Sequence, residues 1–196
     1  MKEKAIDRRV QKFNITLREV FLDLLKEKDY GEITIGELLS KAKYSRPTFY
    51  NHYSNKQEYV DSIMNDEINE TVRFIKEFIE SKKDDYNDET VIELNRMRFN
   101  HIYKERKMYK AFFTYPCFIS FIDKYIAAIE KLHIPLELYN RVEKISEDYY
   151  HYMVLNTFIG TLRYWVIQDF KFAPEHISDL YSNTFIINKN SLTKKK

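Results

Sequence analysis

One short stretch, Thr34–Lys56, concentrates the side chains best suited to hold a nucleic acid: Thr34, Ser45, Arg46, Pro47, Thr48, Tyr50, Asn51, His52 and Lys56. A guanidinium such as that of Arg46 can present a bidentate fork to a guanine edge, a pairing worth about 1–3 kcal/mol of discrimination, and a carboxamide such as that of Asn51 can do the same for adenine. A pyrrolidine such as that of Pro47 can meet a thymine methyl. Hydroxyls and a lysine near helix starts add to the partial positive charge there and suit phosphate oxygens.

Local signals say how these groups are held. Thr34 with Glu37 three residues later reads as a capping box, and Ile33 with Leu38 as a hydrophobic staple, so a helix opens at this point. Leu38, Leu39 and Ala42 give that helix one apolar side. Ser45 is a good cap for a second helix whose first turn holds Pro47, where the missing N–H costs nothing. Phe49 and Tyr53, four apart, share a face that points into a small core. Ser54 with Gln57, or Asn55 with Glu58, caps a third helix, with Lys56 in its first turn. Two short helices joined by a tight turn, the second crowded with polar groups, describe a helix-turn-helix, the unit that lays a recognition helix in the major groove.

The run Ser45-Arg-Pro-Thr-Phe-Tyr-Asn-His-Tyr-Ser-Asn-Lys56, preceded by Thr34-Ile-Gly-Glu-Leu-Leu and a long opening helix, resembles the tetracycline-repressor (TetR) family of bacterial transcription regulators over roughly residues 8 to 62. The resemblance implies that Arg46, Pro47 and Asn51 face bases. It implies that Thr34, Ser45, Thr48, Tyr50, His52 and Lys56 hold phosphates. Many members carry glycine in the turn where this chain has Lys43. Lysine at positive φ costs about 1 kcal/mol, so either the turn differs or the strain is absorbed.

Composition fits an all-helical protein. The 196 residues include only 3 Gly and 4 Pro, which leaves long periodic segments with few turns. Net charge is +2, unevenly spread: residues 1–56 hold 12 Lys/Arg against 8 Asp/Glu, or +4, and the remainder 20 against 22, or −2. A basic head on a neutral-to-acidic body fits a DNA contact at one end. The single cysteine, Cys117, excludes an internal disulfide and reads as a buried inert thiol. The polar N-terminus has no signal-peptide character and no apolar run is long enough to span a bilayer, so a cytoplasmic protein with no membrane contact is expected.

The expected organisation is a helix-turn-helix domain at 1–55, a helical effector-binding and dimerisation domain at 56–188 and a disordered tail at 189–196. The opening helix is expected over about Asp7–Asp29, ended by Gly31 as a C-cap residue. The next is expected from Lys56 to about Ser81, followed by a polar break at Asp84–Asn87 and a helix over about Asp88–Arg106. A short helix to Thr114 and one opened by Pro116 and reaching about His133 come next. After a boundary at Pro135, a helix of about 30 residues reaches Asp169, and Pro174 starts the last, near Glu175–Ile187. With no Pro/Gly-rich linker, the head is expected to join rigidly through the helix from Lys56.

The segment Gly160-Thr-Leu-Arg-Tyr-Trp165, followed by Ala173-Pro-Glu175, resembles the end of the regulatory domain in many TetR-type proteins, particularly a Gram-positive subgroup. There the last two helices of each subunit pack with a partner's as a four-helix bundle. Thr157, Gly160, Thr161 and Tyr164 make a small-residue stripe; mid-helix glycine costs about 1 kcal/mol against alanine, and the close approach of another helix compensates. A crossing within one subunit would do the same. The expected interface is between two subunits, with Ile177, Leu180, Tyr181 and Thr184 supplying its other half, because a two-fold protein gains from both heads on a palindromic double-stranded operator.

Aromatic residues number 31 of 196. Phe112, Phe113, Phe118, Tyr125, Tyr149 and Tyr152 are candidates to line an effector pocket, ordinary core packing being the other arrangement such residues suit. Glycines at 31, 36 and 160 make no phosphate-cradling loop, there is no His-Glu-x-x-His, and the pair Glu147/His151 is two ligands short of a metal site. No catalytic residue, metal or cofactor is expected. The leading reading is a homodimeric repressor released by a small molecule. A DNA-binding activator or co-regulator whose body docks another protein is the alternative, and a helical enzyme or carrier the third.

Overall fold

The computed structural model describes residues 2–83, 87–132 and 146–192, and among them every regular element is a helix. They fall into two compact units, one of residues 1–66 with 114–119 and one of 67–113 with 120–196.

The first unit contains α1 (Lys2–Glu27), α2 (Ile35–Ala42), α3 (Arg46–Tyr50) and the start of α4 (Lys56–Ser81). The apolar stripe of α1 is buried as its spacing requires, with Phe13, Leu17, Phe21, Leu24 and Leu25 at most 4 % exposed. Its end differs from the sequence reading. Gly31 is not a C-cap: no glycine has positive φ, and Gly31 sits inside a 3-10 turn at Tyr30–Glu32. That turn is closed by its own box, in which the Asp29 N–H donates to the Glu32 carboxylate at 3.3 Å. The left-handed residue of this unit is Lys43, at φ 60, ψ 40, ending α2. Lys43→Gly is therefore expected to stabilise the protein by about 1 kcal/mol and to raise Tm by about 2–4 °C, read by thermal unfolding. An unchanged Tm would mean that the strain is already absorbed.

The short segment 114–119 returns to this unit, where Phe118 is fully buried with its ring edge-on to Phe21, centroids 6.3 Å apart. Pro116 opens only a 3-10 turn, Pro116–Phe118, and the helix read from it starts instead at Phe121. Cys117 is half-buried, and desolvation pushes its thiol up to about 11, so it stays protonated.

The second unit comprises the rest of α4 with α5 (Asp88–Lys104), α6 (Arg106–Thr114), α7 (Phe121–Glu130), α8 (Glu147–Ile167) and α9 (Pro174–Leu192). The helix read as about 30 residues has 21, because Ser146 caps it, accepting from the Tyr149 N–H at 3.4 Å. The boundary read at Pro135 lies outside the described residues. So does most of the break at Asp84–Asn87, whose last residue, Asn87, caps α5 by accepting from the N–H groups of Glu89 and Thr90. The last helix runs past its expected end at Ile187, to Leu192. Between α8 and α9 the chain turns through Asp169 (φ 52) and Phe170 (φ 55). Positive φ strains a phenylalanine; burial of its ring, 5.0 Å from that of Trp165, offsets the cost. The core here is aromatic: Phe99, Phe158 and Trp165 are fully buried, with ring centroids 5.2–5.9 Å apart.

A buried polar cluster sits beside that core. His101 Nε2 lies 2.7 Å from Glu67 Oε1, and the Tyr109 hydroxyl donates to the same oxygen at 2.6 Å. Burial alone would lower the pKa of His101. The Glu67 hydrogen bond, with the charges of Glu67, Glu70 and Glu105, outweighs it and holds the imidazole above its ordinary 6.5. A group with a raised folded pKa stabilises fully below its unfolded value and loses that contribution as pH rises through the folded one. The stability difference between wild type and His101→Gln is thus expected to shrink as pH climbs from 6.5, in melts across pH 5.5–8.5. A pH-independent difference would show that the cluster does not favour the imidazolium.

Candidate nucleic-acid interface

The candidate residues occupy a face whose underside is fixed by packing. Phe49 is 0 % exposed and Tyr53 is 8 % exposed, with the Tyr53 hydroxyl donating to Asn14 on α1 at 3.1 Å. The Tyr53 ring meets Phe49 at a tilt and the Tyr59 ring meets it edge-on. With that side locked, Ser45, Arg46, Pro47, Tyr50, Asn51 and His52 are exposed and Thr48 is half-buried. The Tyr50 ring, 53 % exposed, stands edge-on to Phe49, and the His52 ring stacks on Phe13 at 5.2 Å.

The caps are made by the residues read for them. Thr34 Oγ1 accepts from the Glu37 N–H at 3.1 Å, and Ser45 Oγ accepts from the Thr48 N–H at 3.3 Å while pairing with the Thr48 hydroxyl at 2.8 Å. Asn55, not Ser54, caps α4, accepting from the Glu58 N–H at 2.9 Å. The box at Thr34 is only half made. The Glu37 carboxylate takes Lys28 Nζ at 2.7 Å instead of reaching back, and that ammonium holds its carboxyl below the usual range.

Lys56 has an internal occupation. Its Nζ donates to the backbone oxygens of Tyr30 (2.6 Å) and Ile33 (2.7 Å) and lies 4.1 Å above the Tyr30 ring, and burial lowers its pKa. It ties the start of α4 to the turn before α2. One contributor escaped the sequence reading: Gly36. A Cβ there would meet Arg46 Nη2 at 3.2 Å, so the bare backbone lets the guanidinium lie against the start of α2. A small residue in a first helical turn was the available signal.

In the second unit, Gly160 opens on space, a Cβ there meeting nothing within 4 Å, so no neighbouring helix of the described chain packs on Gly160 itself. Tyr164 (47 %), Leu180 (49 %), Thr184 and, beyond the expected set, Ile167 (70 %) are exposed, while Thr157 and Thr161 are half-buried. Ile177 and Tyr181 correct the expectation: both are buried within the chain, and the Tyr181 hydroxyl donates to Val154 O at 3.1 Å. The effector-pocket candidates also separate. Phe112 and Tyr125 are buried, Phe112 stacked on Phe121 at 3.9 Å, and Phe113 is half-buried. Tyr149 (56 %) and Tyr152 (59 %) face outward and cannot line an interior pocket, and Phe118 belongs to the first unit.

Residues 19–63, which hold this helix-turn-helix, match the family described as bacterial regulatory proteins, tetR family. The match falls on the head alone, 45 of the 196 residues, and there the chain is similar to the TetR family. It is 47 % identical over 64 residues to an uncharacterized HTH-type transcriptional regulator, YxbF, of Bacillus subtilis (strain 168), a match that covers 32 % of this chain and 17 % of the length of that relative. Two solved structures share the fold. A TetR transcriptional regulator from Streptococcus agalactiae 2603V superposes with a TM-score of 0.59 at 23 % identity, over 93 % of this chain and 98 % of its own. The transcriptional regulator FadR from Bacillus subtilis, in complex with stearoyl-CoA, gives 0.63 at 14 % identity, over 87 % and 96 %. Among the described residues, no single helix is long and apolar enough to cross a membrane, and no group of three or more His, Cys, Asp or Glu could hold a metal ion.

Proposed function

We propose that the chain is a homodimeric, sequence-specific DNA-binding transcriptional regulator, a repressor released by a small-molecule effector. The observation that carries this reading is the exposed row Arg46, Pro47, Asn51 on α3, held from behind by buried Phe49 and Tyr53, inside a TetR-family head. Arg46, Pro47 and Asn51 meet base edges, while Thr34, Ser45, Thr48, Tyr50 and His52 approach phosphates. Lys56, first assigned to a phosphate, shapes the head that presents them. The open Gly160 stripe with Tyr164, Ile167, Leu180 and Thr184 supports a two-fold contact along α8 and α9. A neighbour in fold solved with stearoyl-CoA supports a small molecule as the effector. The reading assigns the chain no catalytic step and places it in the cytoplasm with its DNA.

Selection from random duplexes tests it. The expected product is an inverted repeat with half-sites about one helical turn, ~34–36 Å, or a multiple of it apart; recovery of no motif would contradict the reading. On the selected duplex, Arg46→Ala is expected to lose about 5–150-fold in affinity, equivalent to ~1–3 kcal/mol, and to relax preference at one base pair. Unchanged affinity would show that the register assigned to α3 is wrong.

A further inference from the structure

Arg98, on α5, is 5 % exposed, and no carboxylate among the described residues stands within ion-pairing distance of its guanidinium. Its surroundings are aromatic. The guanidinium carbon lies 3.6 Å from the centroid of the Phe158 ring, and Nη2 donates to the Tyr125 hydroxyl at a long 3.4 Å. Tyr181 and Tyr109 add their phenols to the shell. Those phenols are not counter-ions: burial pushes Tyr181 up to about 12 and Tyr109 well above its usual value, so both are neutral near pH 7. Arg98 Nε is buried with no hydrogen-bond partner, and so is Ser178 Oγ on α9. Ser178 shares a helical face with Ser182, which accepts from Asn95 Nδ2 on α5 at 3.1 Å.

A permanently charged side chain removed from water without a counter-ion is costly to the fold, and a cation–π contact returns only part of that cost. An oxyanion would offset the remainder, because a guanidinium offers a planar fork of donors matched to carboxylate and phosphate oxygens. We propose that Arg98 is an anion-binding residue of the second unit, receiving the carboxylate or phosphate head of an amphipathic small molecule whose apolar part packs among the surrounding rings. This deepens the effector reading above and rests on it for its consequence at DNA.

The test is thermal unfolding of the full chain with decanoate, decyl phosphate or neutral decanol, for wild type, Arg98→Met and Arg98→Lys. At about 100 times Kd, decanoate or decyl phosphate is expected to raise wild-type Tm saturably by roughly 5–10 °C, with no such response to decanol. The two anionic arms separate a carboxylate from a phosphate ligand. Arg98→Met is expected to lose the response while melting, without ligand, no lower than wild type, since an apolar side chain removes the uncompensated charge. A wild type unresponsive to both anions, an equal response to decanol, or a response that survives in Arg98→Met would each overturn the assignment. If Arg98→Met does not fold, Arg98→Lys decides: a response at least about tenfold weaker supports the guanidinium fork, and an unchanged one overturns it. Operator binding measured in parallel separates the two readings. An anion that stabilises the protein without altering DNA affinity leaves the Arg98 site standing and removes the effector role, whereas decanol that stabilises the protein as the anions do and releases DNA keeps an effector and removes the anion site.

Discussion

Gly160→Arg is expected to convert the proposed dimer to a monomer and to lower affinity for a two-half-site duplex by about 10²–10⁴-fold. The argument starts from what the glycine faces. Beyond its own neighbouring helix backbone, no atom of the described chain comes within 4 Å of the Cβ position, so a Cβ there meets no obstacle inside one subunit. Arginine is also a better helix former than glycine by about 1 kcal/mol, so α8 should be strengthened in the isolated chain. The damage falls on whatever lies across the open stripe. On the same helix Tyr164 and Ile167, and on α9 Leu180, expose apolar surface that water disfavours and that a second copy would cover. A long cation inserted there separates the helices and leaves a charge in an apolar contact. Losing the dimer uncouples the two recognition helices, and the second half-site is then bound at bulk rather than effective local concentration. Sedimentation velocity and a titration against whole and half operators read both effects. A Gly160→Arg variant that stays dimeric would place the interface elsewhere.

Phe49→Ala is expected to cost about 3–5 kcal/mol of head stability and to abolish operator binding. Helix α3 has five residues, too few to persist without tertiary packing. Phe49 supplies that packing, fully buried with ring centroids 5.4 Å from Tyr53 and 5.9 Å from Tyr59. Truncation leaves a cavity beneath the helix that carries Arg46 and Asn51. Denaturant unfolding followed by circular dichroism reads the loss, while the one tryptophan, Trp165, reports on the second unit. A variant with wild-type head stability and affinity would show that α3 is fixed by its caps alone.

The head was legible because its signals are short in range. A cap and its partner lie three residues apart, Phe49 and Tyr53 four, and the charge excess lies in the same segment. What escaped depends on partners distant in sequence. Glu37 was read as closing a box with Thr34, yet its carboxylate finds Lys28, nine residues back. Lys56 reads as a phosphate holder, yet it is taken up by carbonyls 23 and 26 residues away. In the second unit, helical periodicity fixed that α8 and α9 exist but not which of their faces turn inward. Ile177 and Tyr181 go to the core, and Tyr149 and Tyr152 go to the surface. An arginine is exposed by default, so nothing in the sequence marked Arg98 as buried.

The most direct measurement is a fluorescence-anisotropy titration of the full chain against its selected duplex and a scrambled one, at two salt concentrations, with Arg46→Ala beside wild type. Binding should be tighter to the selected duplex, weaken steeply with salt as released counterions require, and fall by about fivefold or more in Arg46→Ala. Equal affinity for both duplexes, unaffected by the loss of Arg46, would contradict a sequence-reading regulator.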